Sequence, residues 1–434
     1  MQDEERARRA GRALTHPGGR RSGPASLPFR RRTCTLVAAV AWMLVPVAGV
    51  ALLFFLVLPG VGAFLARARW RTFRAALRAV SRWPSADARR PTAPPAAAGP
   101  DGFVGFHRFF GALEALQGDD RIWLSGAGES VAVDLRGVSV YLLPASTGDG
   151  RAREDEELSS VPWNRIFALS EGTTLLVGGA LYREEGRSVF KTRDGTPPLA
   201  LIYDCPRSAI MRRAIRGGRH VNEYWNPFTL PSLVTGSFIL AVLAWILMGR
   251  PDARIPAVVA LAAAVGPLAP FLPPAFPLYF LYRLSWRRGR RLRAERDLAN
   301  LPLRWFPALP LGVDRFVTLL PDLEPYAMLR GTLVDGRTLD VGGLAVRLPE
   351  GSILASGGEV WAFGAWREES GEVSLAEPED PLAELSVVAG DPRERAARCS
   401  TGARRALAAS AALIGLAVAV NLLLVLYVAA RIIG

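Results

Sequence analysis

The sequence predicts an α+β membrane protein: about four transmembrane helices with two small all-β domains, OB-like barrels or sandwiches, arranged as a tandem repeat. Three observations lead there. Nearly charge-free apolar blocks lie at Thr35 to Ala66, Phe228 to Met248, Ile255 to Leu281 and Ala406 to Ala430, and a bilayer core needs about 20 apolar residues per helix. Between them, apolar residues recur at every second position in short runs, the period of half-buried strands. Finally, "LLVGGALYREEGRSVF" (Leu175 to Phe190) nearly returns as "VWAFGAWREESGEVSL" (Val360 to Leu375), and long-period repeats mark duplicated units.

Residues 1–34 are rich in Arg, Gly and Pro and poor in large apolar side chains, which predicts a disordered tail. Membrane segment 1 covers 35–66; it starts too late and runs too long for a signal peptide, so it is read as retained. Residues 67–100 form a basic stretch and a Pro/Ala linker. In "AFLARARWRTFRAALRAVSRW", Phe64, Trp70, Phe73, Leu77 and Val80 fall at helical spacing among arginines, the pattern of a helix lying in the interface plane. The alternative is an extension of the first span packed on the β domain. "WPSADARRPTAPPAAAGPDG" reads as a stiff linker.

β domain 1 covers 101–206, with strands in "RIWLSGAGESVAVDLRGVSVYLLP", "RIFAL", "TTLLVGGALYREEGRSVFK" and "PLALIYD", interrupted by the acidic loop "GDGRAREDEELSS". A small closed barrel or compact sandwich removes exposed edges. A basic helix (207–227), membrane segment 2 (228–249), membrane segment 3 (255–283) and a basic juxtamembrane segment (284–325) follow. Pro267, Pro270, Pro273, Pro274 and Pro277 predict irregular backbone in segment 3, tolerated at depth only when shielded by protein or lining water. β domain 2 (326–391), a basic stretch (392–405) and membrane segment 4 (406–431) complete the chain. Upstream of each β domain, "AFLARARWR" (Ala63 to Arg71) aligns without a gap on "YFLYRLSWR" (Tyr279 to Arg287).

The net charge is +13, and the cations are arginines apart from Lys191. They crowd beside the apolar blocks, where each attracts anionic headgroups by about 1 kcal/mol. Anionic lipid is therefore the expected partner, contacted by Arg67, Trp70, Arg71, Arg74, Arg283, Trp286, Arg287 and Arg288. No nucleic-acid signature accompanies the charge, so no nucleic-acid partner is expected. Arginines flanking both β domains place them on the cytoplasmic side of a multi-pass membrane protein, of prokaryotic plasma-membrane type. The Arg-rich tail, which four single spans would put outside, conflicts with that rule.

Cys34, Cys205 and Cys399 are too few and too scattered for a disulfide framework, and His16, His107 and His220 are equally isolated. No zinc-site spacing occurs, and neither a metal nor a cofactor is expected. "GAGES" (Gly126 to Ser130) lacks a nucleophile elbow and reads as a turn. "HVNE" (His220 to Glu223) offers a His/Glu pair without further ligands and reads as a polar patch beside Tyr224 and Trp225. "EDEE" (Glu154 to Glu157) reads as a solvated loop. Asn421 is the only strongly polar side chain deep in a span, expected to bond a neighbouring helix.

"LSEGTTLLVGGALYREEGRSVF" resembles the GIDE, or beside-a-membrane, domain of MULAN-type membrane proteins, whose last strands carry a Leu-x-x-Gly-x-Thr-Leu-x-x-x-Gly-x-Leu pattern. Leu169, Gly172, Thr174, Leu175, Gly179 and Leu181 match it in place, and an Arg-rich helix running into a span follows. The copy from Gly357 keeps Gly364 and the hairpin. The resemblance implies a β domain between two transmembrane helices. Eukaryotic members end in a RING finger that supports ligase activity; its zinc ligands have no counterpart here, so the resemblance implies the anchoring and interaction module alone. The expected function is thus a non-catalytic scaffold or membrane-surface sensor, with Glu184, Glu185, Glu368 and Glu369 presented to a protein partner and a second copy of the chain as a further partner. The alternative is a channel or transporter lined by segment 3.

Overall fold

The apolar blocks fold as helices and the alternating runs as strands. The structure, a computed structural model, describes residues 29–86, 102–126, 128–144, 157–166, 168–307, 313–349, 358–369 and 371–433. Residues 1–28, most of the Pro/Ala linker and most of the acidic loop, including the first three residues of "EDEE", lie outside the described residues, as does Ala127 of "GAGES".

Helix α1 (Phe29–Leu52) continues through a π turn (Leu53–Val57) into α2 (Leu58–Val80). Then come α3 (Ile210–His220), α4 (Thr229–Met248), α5 (Arg254–Val265), α6 (Phe276–Ala299) and α7 (Pro392–Ile433). Among the described residues, four stretches are long and apolar enough to cross a membrane: Ala41–Val80, Thr229–Met248, Pro251–Phe271 and Pro392–Val428.

The third of these is broken where its prolines predict. After α5 the chain tightens into a 3-10 turn (Gly266–Phe271), because Pro267 and Pro270 lack the N–H a helix needs. Asn421 of α7 closes the break, its Nδ2 donating to the carbonyls of Ala269 at 2.6 Å and Leu272 at 2.7 Å. From Phe276, α6 runs antiparallel to α7 at close range. Gly289 permits that approach, since a Cβ there would meet Leu407 Cγ at 2.8 Å.

The basic end of α2 does not lie flat. It continues the first apolar helix through the π turn, and its stripe of Trp70, Phe73, Leu77 and Val80 is buried against Phe110, Tyr141, Leu176 and Leu201 of the first β domain. The structure thus realises the alternative of a docked extension. Amphipathic spacing states only that one face seeks an apolar surface, and here protein supplies it. Gly178 receives the helix tip; a Cβ there would stand 2.5 Å from Val80 Cγ2.

The first sheet comprises β1 (Phe103–Gln117), β2 (Arg121–Gly126), β3 (Glu129–Asp134), β4 (Ser139–Leu142), β5 (Ser159–Pro162), β6 (Thr174–Glu184), β7 (Arg187–Lys191) and β8 (Leu199–Ile202). Five of these close a barrel in the cyclic order β1-β2-β3-β7-β6, sealed by β1–β6 pairing. Within the ring β3 and β7 are parallel, an order compatible with an OB-type barrel. Phe109, Ile122, Leu124, Val131, Val133, Leu175, Val177 and Phe190 belong to its core. The second sheet comprises β9 (Arg315–Leu319), β10 (Pro325–Leu333), β11 (Thr338–Val341), β12 (Leu344–Arg347), β13 (Glu359–Glu369), β14 (Glu372–Ala376) and β15 (Ser386–Ala389). Its pairings run around β10-β11-β12-β14-β13 and back to β10 in the same cyclic order, again with one parallel pair, β12–β14. This domain begins earlier than residue 326, because β9 adds an edge strand to β10.

A buried ion cluster joins the two β domains. Arg108 on β1 reaches Asp322 at 3.1 Å and Asp380 at 2.8 Å, all three side chains being at most 2 % exposed. Its Nη1 also donates to the Ser81 carbonyl at the end of α2, at 3.3 Å. Asp322 accepts from the Ser85 amide at 3.0 Å and Asp380 from the Leu382 amide at 2.9 Å. Nearby, Arg304 donates to the Leu382 carbonyl and Tyr326 to that of Glu384. Burial pushes the Tyr326 hydroxyl well above the ordinary tyrosine pKa.

Candidate functional site: arginine-lined cavities beneath the first barrel

Docking α2 on the barrel fixes which of its side chains remain free. With Trp70, Phe73 and Leu77 turned inward, Arg67, Arg74 and Arg78 occupy the neighbouring stripe. Helix α3 buries Ile210, Met211 and Ala214 and brings Arg219 to the same side. Helix α6 buries Gly289, Arg290 and Ala294, which sets Arg293 and Arg296 beside them.

Two adjoining cavities open between these helices, of about 480 and 390 Å3. Six arginines line the first: Arg74, Arg78, Arg82, Arg219, Arg296 and Arg304, against one acid, Asp297. Five line the second: Arg67, Arg74, Arg219, Arg290 and Arg293, against Glu223. Arg74 and Arg219 belong to both. The second cavity also has an aromatic side, Tyr224, Tyr282 and Trp286, and a wall from the apolar part of α7, Leu407, Ala411 and Ile414. A third cavity, of about 340 Å3, holds Arg283, Arg287, Arg290, Trp286 and His220.

Both acids are already engaged. Asp297 accepts from Arg219 Nε at 2.5 Å and from Arg296 at 2.6 and 2.9 Å. Glu223 accepts from Arg67 Nε at 2.8 Å. Among the other cations, Arg290, Arg293 and Arg304 are crowded and stripped of water. Desolvation, the largest cause, pushes Arg290 and Arg304 down to about 10; Arg293 is lowered by burial and then by Arg219. All stay charged at neutral pH, at an energetic cost that an anion would relieve. Arg290 is 7 % exposed and stacks 3.6 Å over Trp286. Its Nη1 has no hydrogen bond and stands 4.0 Å from Glu157. Guanidinium forks match phosphate and carboxylate oxygens in pairs, so the arrangement is suited to holding an anion.

Of the residues expected to touch lipid, Arg67, Arg74 and Trp286 line the second cavity, and Arg283 and Arg287 the third. Arg71 and Arg288 are exposed. Trp70 is corrected: at 6 % exposure it packs edge-on against Phe73 inside a protein core. The four glutamates sit at two hairpins in matching places. Glu184 pairs with Lys191, and Glu185 occupies a turn with Gly186 at positive φ; Glu368 and Glu369 are exposed at the end of β13. The structure does not bring these hairpins together with the arginine cavities. His220 and Glu223 do not share a helix face, since α3 ends at His220 and the chain turns extended at Val221. Among the described residues no group of three or more His, Cys, Asp or Glu could hold a metal ion.

Arg304 escaped the sequence reading entirely. It stands in "LPLRWFP", outside any basic run, and only the fold carries it to the cavity. No protein-family model, curated protein or solved structure matches the chain.

Proposed function

We propose that this is a non-catalytic integral membrane protein whose duplicated barrels form one cytoplasmic scaffold that senses anionic lipid at the membrane surface. The observation that carries the reading is the surplus of arginines, nine distinct side chains lining the two cavities against two engaged acids, placed where apolar helices give way to the barrels. The matching cyclic strand orders support duplication. The resemblance to beside-a-membrane domains supports the same placement, with the β domains between spans. The buried Arg108 cluster supports the barrels acting as a single body rather than as independent modules.

The test uses the full chain in nanodiscs of phosphatidylcholine, with and without phosphatidylglycerol. Anionic lipid raises the unfolding temperature, and added salt weakens the effect because exposed charges are screened. Equal unfolding temperatures in the two bilayers would overturn the reading. A channel or transporter remains a second reading because the third span is broken. Against it, Asn421 satisfies the Ala269 and Leu272 carbonyls that a transported ion would need.

A further inference from the structure

The two arginine cavities share Arg74 and Arg219 and differ in the rest of their walls. The second has an apolar side supplied by Leu407, Ala411 and Ile414 of α7 and an aromatic side of Tyr224, Tyr282 and Trp286. Arg290 stands between the two kinds of surface, nine-tenths buried and with Nη1 lacking a hydrogen bond. The first cavity lies further along α2 and is bounded by Arg78, Arg82, Arg296 and Arg304. Its inner boundary belongs to both barrel units, since Arg82 Nη2 donates to the Arg304 carbonyl at 3.2 Å and Arg304 donates to Leu382 of the second unit.

We infer that the paired cavities bind one lipid bearing two phosphates. This rests on the proposed lipid-sensing role and gives it a specific ligand. The acyl chains lie along the α7 wall, and the phosphate nearer the chains meets Arg290 and Arg293. The second phosphate reaches the first cavity and meets Arg78, Arg82 and Arg296. Arg74 and Arg219 stand between and serve both. A singly charged headgroup would fill only the half beside α7 and leave Arg78 and Arg82 without a phosphate to bind. A soluble anion would satisfy the arginines but leave the α7 wall without an apolar partner. Because Arg304 touches both the inner cavity and the second barrel unit, occupancy tightens the junction between the barrels.

The experiment is native mass spectrometry of the delipidated full-length protein titrated with cardiolipin, phosphatidylglycerol or inorganic pyrophosphate. Cardiolipin is expected to bind at least about tenfold more tightly than phosphatidylglycerol, a difference of about 1.4 kcal/mol. Arg78→Gln with Arg82→Gln should remove that advantage, bringing cardiolipin down to the affinity of phosphatidylglycerol; Arg293→Gln should weaken both lipids. Unfolding temperatures of the lipid-free variants, measured in parallel, guard against misfolding, and relief of crowded charge should leave them no lower than wild type. Equal affinity for the two lipids overturns the two-phosphate site while leaving surface sensing intact. Binding of neither lipid overturns both. Pyrophosphate that binds as tightly as cardiolipin overturns the lipid assignment and makes the cavities a site for a soluble anion.

Discussion

Replacing Arg108 with methionine removes the guanidinium that bridges Asp322 and Asp380 while nearly conserving volume. The wild-type guanidinium holds the carboxylates at 3.1 and 2.8 Å and the Ser81 carbonyl at 3.3 Å, with all three charged side chains out of water. Breaking a buried pair by deleting one partner costs about 3–5 kcal/mol, because the surviving charge has no compensation. At about 2–4 °C per kcal/mol for a unit of this size, the unfolding temperature should fall by roughly 6–20 °C. The assay follows a thiol-reactive dye in a background with Cys34 and Cys399 changed to serine, so that the signal reports exposure of Cys205, buried against α2 and the barrel. The decisive comparison is the triple variant Arg108→Met, Asp322→Asn, Asp380→Asn. Asparagine keeps the Oδ1 acceptors for the Ser85 and Leu382 amides but carries no charge, so most of the lost stability should return. If the triple variant is no more stable than Arg108→Met, the cost lies in packing and the electrostatic account is wrong.

Phe73→Ala, which empties a site 1 % exposed beneath the first barrel, should destabilise by about 3–5 kcal/mol in thermal unfolding, whereas Arg71→Ala on the open face of the same helix should change little. Asn421→Leu leaves the Ala269 and Leu272 carbonyls unpaired at the break in the third span, a loss of about 1 kcal/mol readable as faster hydrogen exchange around 266–275. His107 is held below the ordinary histidine value of 6.5, chiefly by burial. The unfolded chain therefore takes up the proton first as pH falls through 6.5, stability declines until the folded-state pKa is passed, and His107→Gln should flatten that slope in melts between neutral and acidic pH. Single cysteines at Arg187 and Glu372, exposed beside the two hairpins, should resist an impermeant thiol reagent in intact cells and react after permeabilisation; labelling of both beforehand would place the barrels outside.

Much of the architecture was readable because it is local. Charge-free blocks of span length and period-two runs need no tertiary information, and the repeated Arg-Glu-Glu hairpin announced matching strands that the structure places as β6–β7 and β13–β14. What escaped was decided at long range. The stripe Trp70, Phe73, Leu77 and Val80 has the same spacing whether it meets lipid or a barrel, so its partner was not encoded in the stretch itself. Arg108 sits in "GFHRFFGAL", where nothing nearby announces that acids 214 residues downstream and beyond will neutralise it. The cavities assemble arginines from α2, α3, α6 and the turn after it. Basic runs flagged most of these residues, but not which of them face one another.

The stretch from Ala41 to Val80 contains 40 helical residues, passing through the π turn at Leu53–Val57, a length of about 60 Å. Its C-terminal end is fixed to the first barrel by four buried side chains, Trp70, Phe73, Leu77 and Val80. A helix that crosses a bilayer adjusts to changing hydrocarbon thickness by tilting, and on the proposed membrane placement this one would tilt together with the barrel docked on it. A rotation of about 10° would carry the final stretch after Ala66, about 20 Å long, sideways by roughly 4 Å. On the proposed membrane placement, the docked barrel would ride on that motion like the needle of a gauge, turning bilayer thickness into a displacement at the protein surface.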